Sequence, residues 1–245
     1  MAILSQKISP PDLKGQDRSY MQLALRLAHR GLGSNWPNPS VGCIIVKDNK
    51  IIGRGWTGQG GRPHAEHLAL LQAGKNAAGA TVYVTLEPCS HHGETPPCVD
   101  ALISAKVKQV VVAIIDPDKR VSGKGLAKLR SKGIDVELGV CADSAAELNA
   151  GFFNRVNSGR PMVTLKLATS LDGFIATANG DSKWITSLGA RLRGHLLRSE
   201  HDAILVGIGT VLKDNPSLTV RLPGLFEKSP VRIILDSRLR TPKNL

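Results

Sequence analysis

The chain has 245 residues, of which 42% are hydrophobic and 4% aromatic, and it carries a formal net charge of +12. That length gives one large domain or two ordinary ones with aliphatic cores. No apolar run is long enough to span a bilayer, residues 1–7 form no secretory leader, and the four cysteines suit a reducing cytoplasm better than a disulfide framework.

Residues 1–16 are polar, contain Pro10-Pro11 and read as an N-terminal extension. Asp17 is placed to cap a helix running to about residue 30, with Met21, Ala24, Leu27 and Ala28 on its apolar face. Trp36-Pro37-Asn38-Pro39 is a rigid turn. Residues 41–46 and 51–56 read as strands joined by a hairpin at Asp48-Asn49. Pro63 precedes a helix reaching about residue 74 that carries His64 and Glu66. Residues 81–85 form a strand that leads to Cys89, and Pro96-Pro97 open a helix with Cys98 in its first turn. Strands at 107–115 and 134–138 flank a helix at 125–132, so helices should cover both faces of the sheet. Residues 142–149 can form a helix, whereas the basic, turn-rich 155–161 reads as part of a junction. Beyond it come an apolar strand at 162–167, a turn at 170–173, a helix at 189–199 and short buried strands at 203–206 and 231–235.

The chemistry concentrates between residues 63 and 98. His64, Cys89 and Cys98 offer one nitrogen and two sulfur ligands, the set that zinc prefers. Three protein ligands leave a fourth position for water, as in catalytic zinc sites. Glu66 lies two residues after His64, suited to take a proton from that water and deliver it to a leaving amine. H-x-E followed by P-C-x-x-C is the zinc deaminase signature; here eight residues separate the two thiols instead of two. A folding zinc site, or a pair of buried thiols, is the alternative, and it leaves His64-Ala65-Glu66 unexplained. Cys43 and Cys141 carry no assigned chemistry.

The segment T-L-E-P-C-S-H-H-G-E-T-P-P-C resembles the RibD family of bifunctional riboflavin-pathway deaminase–reductases, and Ser170-Leu171-Asp172-Gly173, Trp184-Ile185-Thr186 and Asp214-Asn215-Pro216-Ser217-Leu218-Thr219 resemble its reductase half. The resemblance implies an α/β protein: a three-layer α/β/α domain like cytidine deaminase over 17–145, a linker at 146–161, and part of a dihydrofolate-reductase-like α/β domain over 162–245, the family's reductase normally running further. It implies one zinc per chain on His64, Cys89 and Cys98, with Glu66 catalytic and His91 and His92 off the metal. It implies that Ala168, Trp184, Thr210, Asp214 and Ser237 line an NADPH (NADP) site, and that Asn38, Ser182, Arg198, Leu218 and Arg221 contact substrate. Arginine suits a ribosyl phosphate because its planar fork pairs with phosphate oxygens. Asn38 reads equally as a turn residue, Arg198 as a solvated helix position, and Trp184 as core. Glu94 departs from the family, which often has a basic residue there.

The function expected is hydrolytic deamination of a diaminopyrimidinone ribosyl phosphate, coupled to NADPH-dependent reduction of ribosyl to ribityl. With a partial reductase half, the chain should deaminate and not reduce. Two other readings compete: a nucleoside or tRNA adenosine/cytidine deaminase on the same metal site, and a basic zinc-stabilised nucleic-acid-binding module. The basic residues are scattered and few rings are available to stack bases, so a small phosphorylated pyrimidine is favoured as partner over nucleic acid or membrane. The sequence leaves homo-oligomerisation open.

Overall fold

Period-two alternation of aliphatic residues decides the first layer of structure. The structure, a computed structural model, describes residues 13–93 and 95–243; Glu94 and most of the proposed extension lie outside the described residues. The chain divides into two units: residues up to 31 with 37–161, and residues 32–36 with 162–245.

In the first unit α1 (Leu13–Ala28) starts before Asp17. Asp17 is therefore within the helix and caps nothing; its carboxylate instead accepts the Tyr83 hydroxyl at 2.5 Å. β1 (Gly42–Lys47) and β2 (Lys50–Trp56) form the expected hairpin. Asp48 and Asn49 turn it at φ 49° and 58°, the left-handed pair that matches strand twist. Then follow α2 (Ala65–Ala73), β3 (Thr81–Val84), α3 (Cys98–Ser104), β4 (Gln109–Val112), α4 (Lys124–Ser131) and β5 (Asp135–Leu138). The sheet order is β2-β1-β3-β4-β5, with β1 antiparallel to both neighbours and β3, β4 and β5 parallel.

Successive strand residues point to opposite faces. Cys43, Ile45, Val82, Val84, Val110 and Val112 pack on one side with Ala65 and Ala69 of α2, Val99 and Leu102 of α3, and Leu126 and Leu129 of α4. Ile44, Val46, Tyr83 and Val111 pack on the other with Met21, Ala24 and Leu25 of α1. The result is three layers. Burying one such aliphatic side chain contributes roughly 1.5–3 kcal/mol, so the double-sided core fixes the sheet firmly. α2 lies unusually close to β2: a Cβ on Gly53 or Gly55 would come within 2.2 Å of the Ala69 carbonyl or 2.1 Å of the Ala65 carbonyl. Glycine at those positions lets the helix carrying His64 and Glu66 rest on the strand backbone.

The segment 146–161, read as a linker, is not one. α5 (Ala142–Leu148) is followed at once by α6 (Ala150–Ser158), and both belong to the first unit. Asn149 at their junction is buried, and it exchanges two hydrogen bonds with the backbone of Ser40, at 2.8 and 2.9 Å.

The second unit contains α7 (Leu188–Ser199), β6 (Ala203–Gly207), α8 (Ile208–Asp214) and β7 (Val231–Leu235). Ser187 caps α7 by accepting the Ala190 amide at 3.2 Å. β6 and β7 form a two-stranded parallel sheet. Two expectations fail here. Residues 162–167 form no strand, because no ladder partner engages them, and Val163, Leu165 and Leu167 are exposed. β6 and β7 are not buried: Leu205, Val231, Ile233 and Leu235 face outward.

Candidate metal centre and its cleft

Three chain ends converge to build the site. His64 occupies the N-cap position of α2, Cys89 follows the strand end that continues β3, and Cys98 opens α3. Ligands bind beyond the carboxyl ends of parallel strands, where such ends gather. The backbone ties the ends together: Val99 N donates to the Cys89 carbonyl at 3.2 Å, and Cys98 N donates to Cys89 Sγ at 3.3 Å.

The ligand atoms of His64, Cys89 and Cys98 all lie within 4.8 Å of one another. His64 Nδ1 is 3.2 Å from Cys98 Sγ and 3.6 Å from Cys89 Sγ. The hydrogen bond from Cys98, helped by His64 and the Cys98 amide, pulls the Cys89 thiol down to about 4. Sharing that hydrogen bond, together with burial, holds the Cys98 proton on. The imidazole of His64 beside them has its pKa raised by its bond to Cys89. One nitrogen and two sulfurs converging on a point, with one thiol drawn toward its thiolate, fit zinc.

Glu66 sits in the first turn of α2, buried, and burial raises its carboxyl to about 7. Among the described residues His91 and His92 are not in the ligand group. His91 lines the cleft, and its Nδ1 is buried without a hydrogen-bond partner.

The cleft measures about 260 Å³. His64, Glu66, Cys89 and Asn38 line it, so the structure brings Asn38 to the metal centre. Asn38 Nδ2 donates to the Gly60 carbonyl at 3.4 Å. Residues 58–62, read as a flexible approach, include a 3-10 turn at Gln59–Gly61.

Sequence reading missed two groups. Glu87 is buried, and its carboxylate accepts the amides of Gly123, Gly125 and Leu126 at 2.8, 2.9 and 3.3 Å, with Asp116 N at 3.4 Å. It thereby binds the Cys89 segment to the loop whose Asp116, Asp118 and Arg120 line the cleft. Burial pushes Asp116 up to about 6, whereas the bond from Arg120 holds Asp118 below the usual carboxylate range. The second group is α6, which contributes Phe152, Arg155 and Val156 to the wall. The acidic residue inside T-L-E-P-C was a visible signal for Glu87; α6 gave none, because its basic end reads as a turn.

The residues expected in the second unit are less drawn together. Arg198 Nη1 donates to the Thr219 carbonyl at 2.6 Å and lies 3.4 Å from His195 Nδ1, which also accepts the Arg221 amide at 3.3 Å. The Arg198 side chain and the Arg221 backbone therefore meet at His195. Leu218 has a left-handed φ of 54° in the same segment. Trp184 is exposed rather than core, with the Arg191 guanidinium 4.3 Å above its ring. Thr210 and Asp214 lie on α8, Ala168 and Ser182 on irregular segments, and Ser237 just beyond β7. No side-chain hydrogen bond joins Ala168, Ser182, Trp184, Thr210, Asp214 and Ser237 to one another among the described residues.

Comparison with known proteins gives the same division of the chain. Residues 14–114 match the cytidine and deoxycytidylate deaminase zinc-binding region, and residues 161–245 match the RibD C-terminal domain. Riboflavin biosynthesis protein RibD of Aquifex aeolicus is 54% identical over 226 residues, 92% of this chain and 63% of that protein. Acinetobacter baumannii RibD is 51% identical with a TM-score of 0.85, over 94% of this chain and 65% of that one. A Thermotoga maritima structure described as a diaminohydroxyphosphoribosylaminopyrimidine deaminase/5-amino-6-(5-phosphoribosylamino)uracil reductase is 46% identical with a TM-score of 0.87, over 92% of this chain and 64% of that one. The chain thus spans about 63–65% of the length of these relatives. A cytidine-deaminase-like α/β/α domain followed by a dihydrofolate-reductase-like α/β domain, at such identity over nine-tenths of the chain, places it in the RibD family.

Proposed function

We propose that the chain is a zinc-dependent aminohydrolase of riboflavin formation, acting on the amino group of a phosphoribosylaminopyrimidine. The observation that carries this reading is the convergence of His64, Cys89 and Cys98 beside buried Glu66 in one cleft. His64 Nδ1, Cys89 Sγ and Cys98 Sγ would hold the metal. Zinc so held supplies Lewis acidity that turns water into a nucleophile near neutral pH. Glu66, raised to about 7 by burial, exchanges a proton readily at that pH: its carboxylate takes one from water and returns it to the departing amine. Asn38 and His91 line the cleft as polar groups suited to orient a pyrimidine ring.

The second unit we assign to NADPH-dependent reduction of ribosyl to ribityl, with NADPH as hydride donor. Ala168, Trp184, Thr210, Asp214 and Ser237 are proposed for the cofactor, and Ser182, Arg198, Leu218 and Arg221 for the substrate. The positive charge of Arg221 lies near enough to Arg198 to act on it, after burial, in lowering its pKa, and two such neighbouring charges support an anion-binding role for that segment. The partner is a small phosphorylated pyrimidine. No helix among the described residues is long and apolar enough to cross a membrane; four unpaired cysteines support a cytoplasmic setting.

The test is to supply the diaminopyrimidine ribosyl phosphate, with and without NADPH, and identify products by mass. Replacement of an amino group by oxygen without NADPH supports the assignment. An unchanged substrate with zinc-loaded protein overturns it.

A further inference from the structure

We infer that Arg155 binds the phosphate of the substrate in the metal-centre cleft, which makes α6 the wall that selects phosphorylated over unphosphorylated substrate. The inference rests on the reading proposed above, and deepens it.

Three arginines line the cleft: Arg62, Arg120 and Arg155. Arg120 is committed to Asp118, which it meets through both Nε and Nη2, so its charge is neutralised locally. Arg62 donates through Nη1 to the Thr95 hydroxyl at 2.8 Å. Arg155 differs from Arg120. Among the described residues it has no carboxylate partner; its protein contacts are the Pro37 carbonyl, which accepts from Nη2 at 2.6 Å, and the Phe152 ring, 5.5 Å from Cζ. A carbonyl and a ring face orient a guanidinium without cancelling its charge. Only one of its five N–H groups is used in that bond, so a fork remains for phosphate oxygens. The ring one turn earlier draws the head group back along α6, away from the helix carboxyl end, where the backbone dipole would repel an anion.

The support for this side chain is rigid. Asn149, buried at the start of α6, holds Ser40 through two hydrogen bonds, and Ser40 Oγ donates to the Ala28 carbonyl at 2.5 Å. The turn carrying Asn38 is thus clamped to α6 at both ends, by Asn149 at Ser40 and by Arg155 at Pro37. A phosphate on Arg155 and a pyrimidine beside Asn38 would be read by one preassembled piece of the first unit.

The test compares Arg155→Met and Arg155→Lys with the unaltered chain, zinc-loaded, on the 5′-phosphorylated substrate and on its dephosphorylated form. The expected result is that the preference in kcat/KM for the phosphorylated form falls about 10- to 100-fold in Arg155→Met, as for loss of a charge-assisted hydrogen bond. The effect should appear in KM, with partial recovery in Arg155→Lys. Equal loss on both substrates means that Arg155 only holds the Pro37 turn, and overturns the proposal. Binding of ribose 5-phosphate, measured by calorimetry, provides a readout independent of turnover. Weaker binding to Arg155→Met supports the phosphate site even if no deamination is found; equal binding, or none to the unaltered chain, defeats it.

Discussion

The two units use similar elements to different depth. The first buries both faces of a five-stranded sheet, with Ile45, Val82, Val84, Val110, Val111 and Val112 inaccessible to solvent. Its three proposed ligand residues and Glu66 hang from elements that this core fixes. The second has a two-stranded sheet, and its buried apolar residues among those described are Ile208, Val211 and Val220. Its proposed site residues are spread over α7, α8 and irregular segments. Catalysis needs reacting groups placed to a fraction of an ångström, and the packing of the first unit supplies that precision.

The largest effect should come from the metal centre itself. Cys98→Ala removes a ligand whose position the α3 N-terminus fixes, so metal analysis should find zinc lost and deamination absent. Full zinc occupancy in that variant would falsify the ligand set. Glu66→Gln comes next. It keeps shape but cannot carry the proton, so turnover should fall about 10²–10⁴-fold with zinc retained. Near-normal turnover would assign the proton to another group.

Stability variants sharpen the same contrast. Leu129 on α4 is 0% exposed, and Leu129→Ala should cost about 2–5 kcal/mol. Urea unfolding followed by exchange of the β4 amides reads this out. Glu87→Gln should cost about 1–3 kcal/mol, because the new amide sets N–H against N–H where the carboxylate accepted from Gly123, Gly125 and Leu126. Its zinc content should survive while KM rises, since the loop bearing Asp118 and Arg120 loosens. A variant as stable as the parent would mean that the loop holds itself.

What sequence could reveal follows the same physical line. The hairpin at Asp48-Asn49, the strands of the first sheet and the helix openings at His64 and Cys98 are local signals, set by alternation and by capping. They agreed with the structure to within a residue or two at most ends, although β4 is shorter than 107–115 suggested and Asp17 caps nothing. The convergence of His64, Cys89 and Cys98 was legible because zinc chemistry restricts residue type. Glu87 and α6 were not, since each acts through contacts distant in sequence: Glu87 across to Gly123, Arg155 back to Pro37. The error at 162–167 has the opposite cause. Alternation at Val163, Leu165 and Leu167 is a strand pattern, but a strand exists only where a neighbour supplies its ladder.

The smallest expected effect decides whether the contrast between units is a property of the molecule in solution. Along β6 and β7 the pairs Ala203 with Val231, Leu205 with Ile233 and Gly207 with Leu235 lie side by side on one face. Leu205 is 55% exposed and Leu235 is 59% exposed, so that face meets solvent. Truncating an exposed side chain removes little apolar area from the interior and leaves no cavity. Leu205→Ala should therefore shift stability by no more than about 0.5 kcal/mol, seen as an unchanged exchange rate for the β6 and β7 amides. Leu129→Ala, carrying the same chemical change inside the first unit, serves as its reference. If Leu205→Ala instead costs as much as Leu129→Ala, this face is covered in solution. The second unit then owns a core of its own, and the contrast in packing between the units no longer holds.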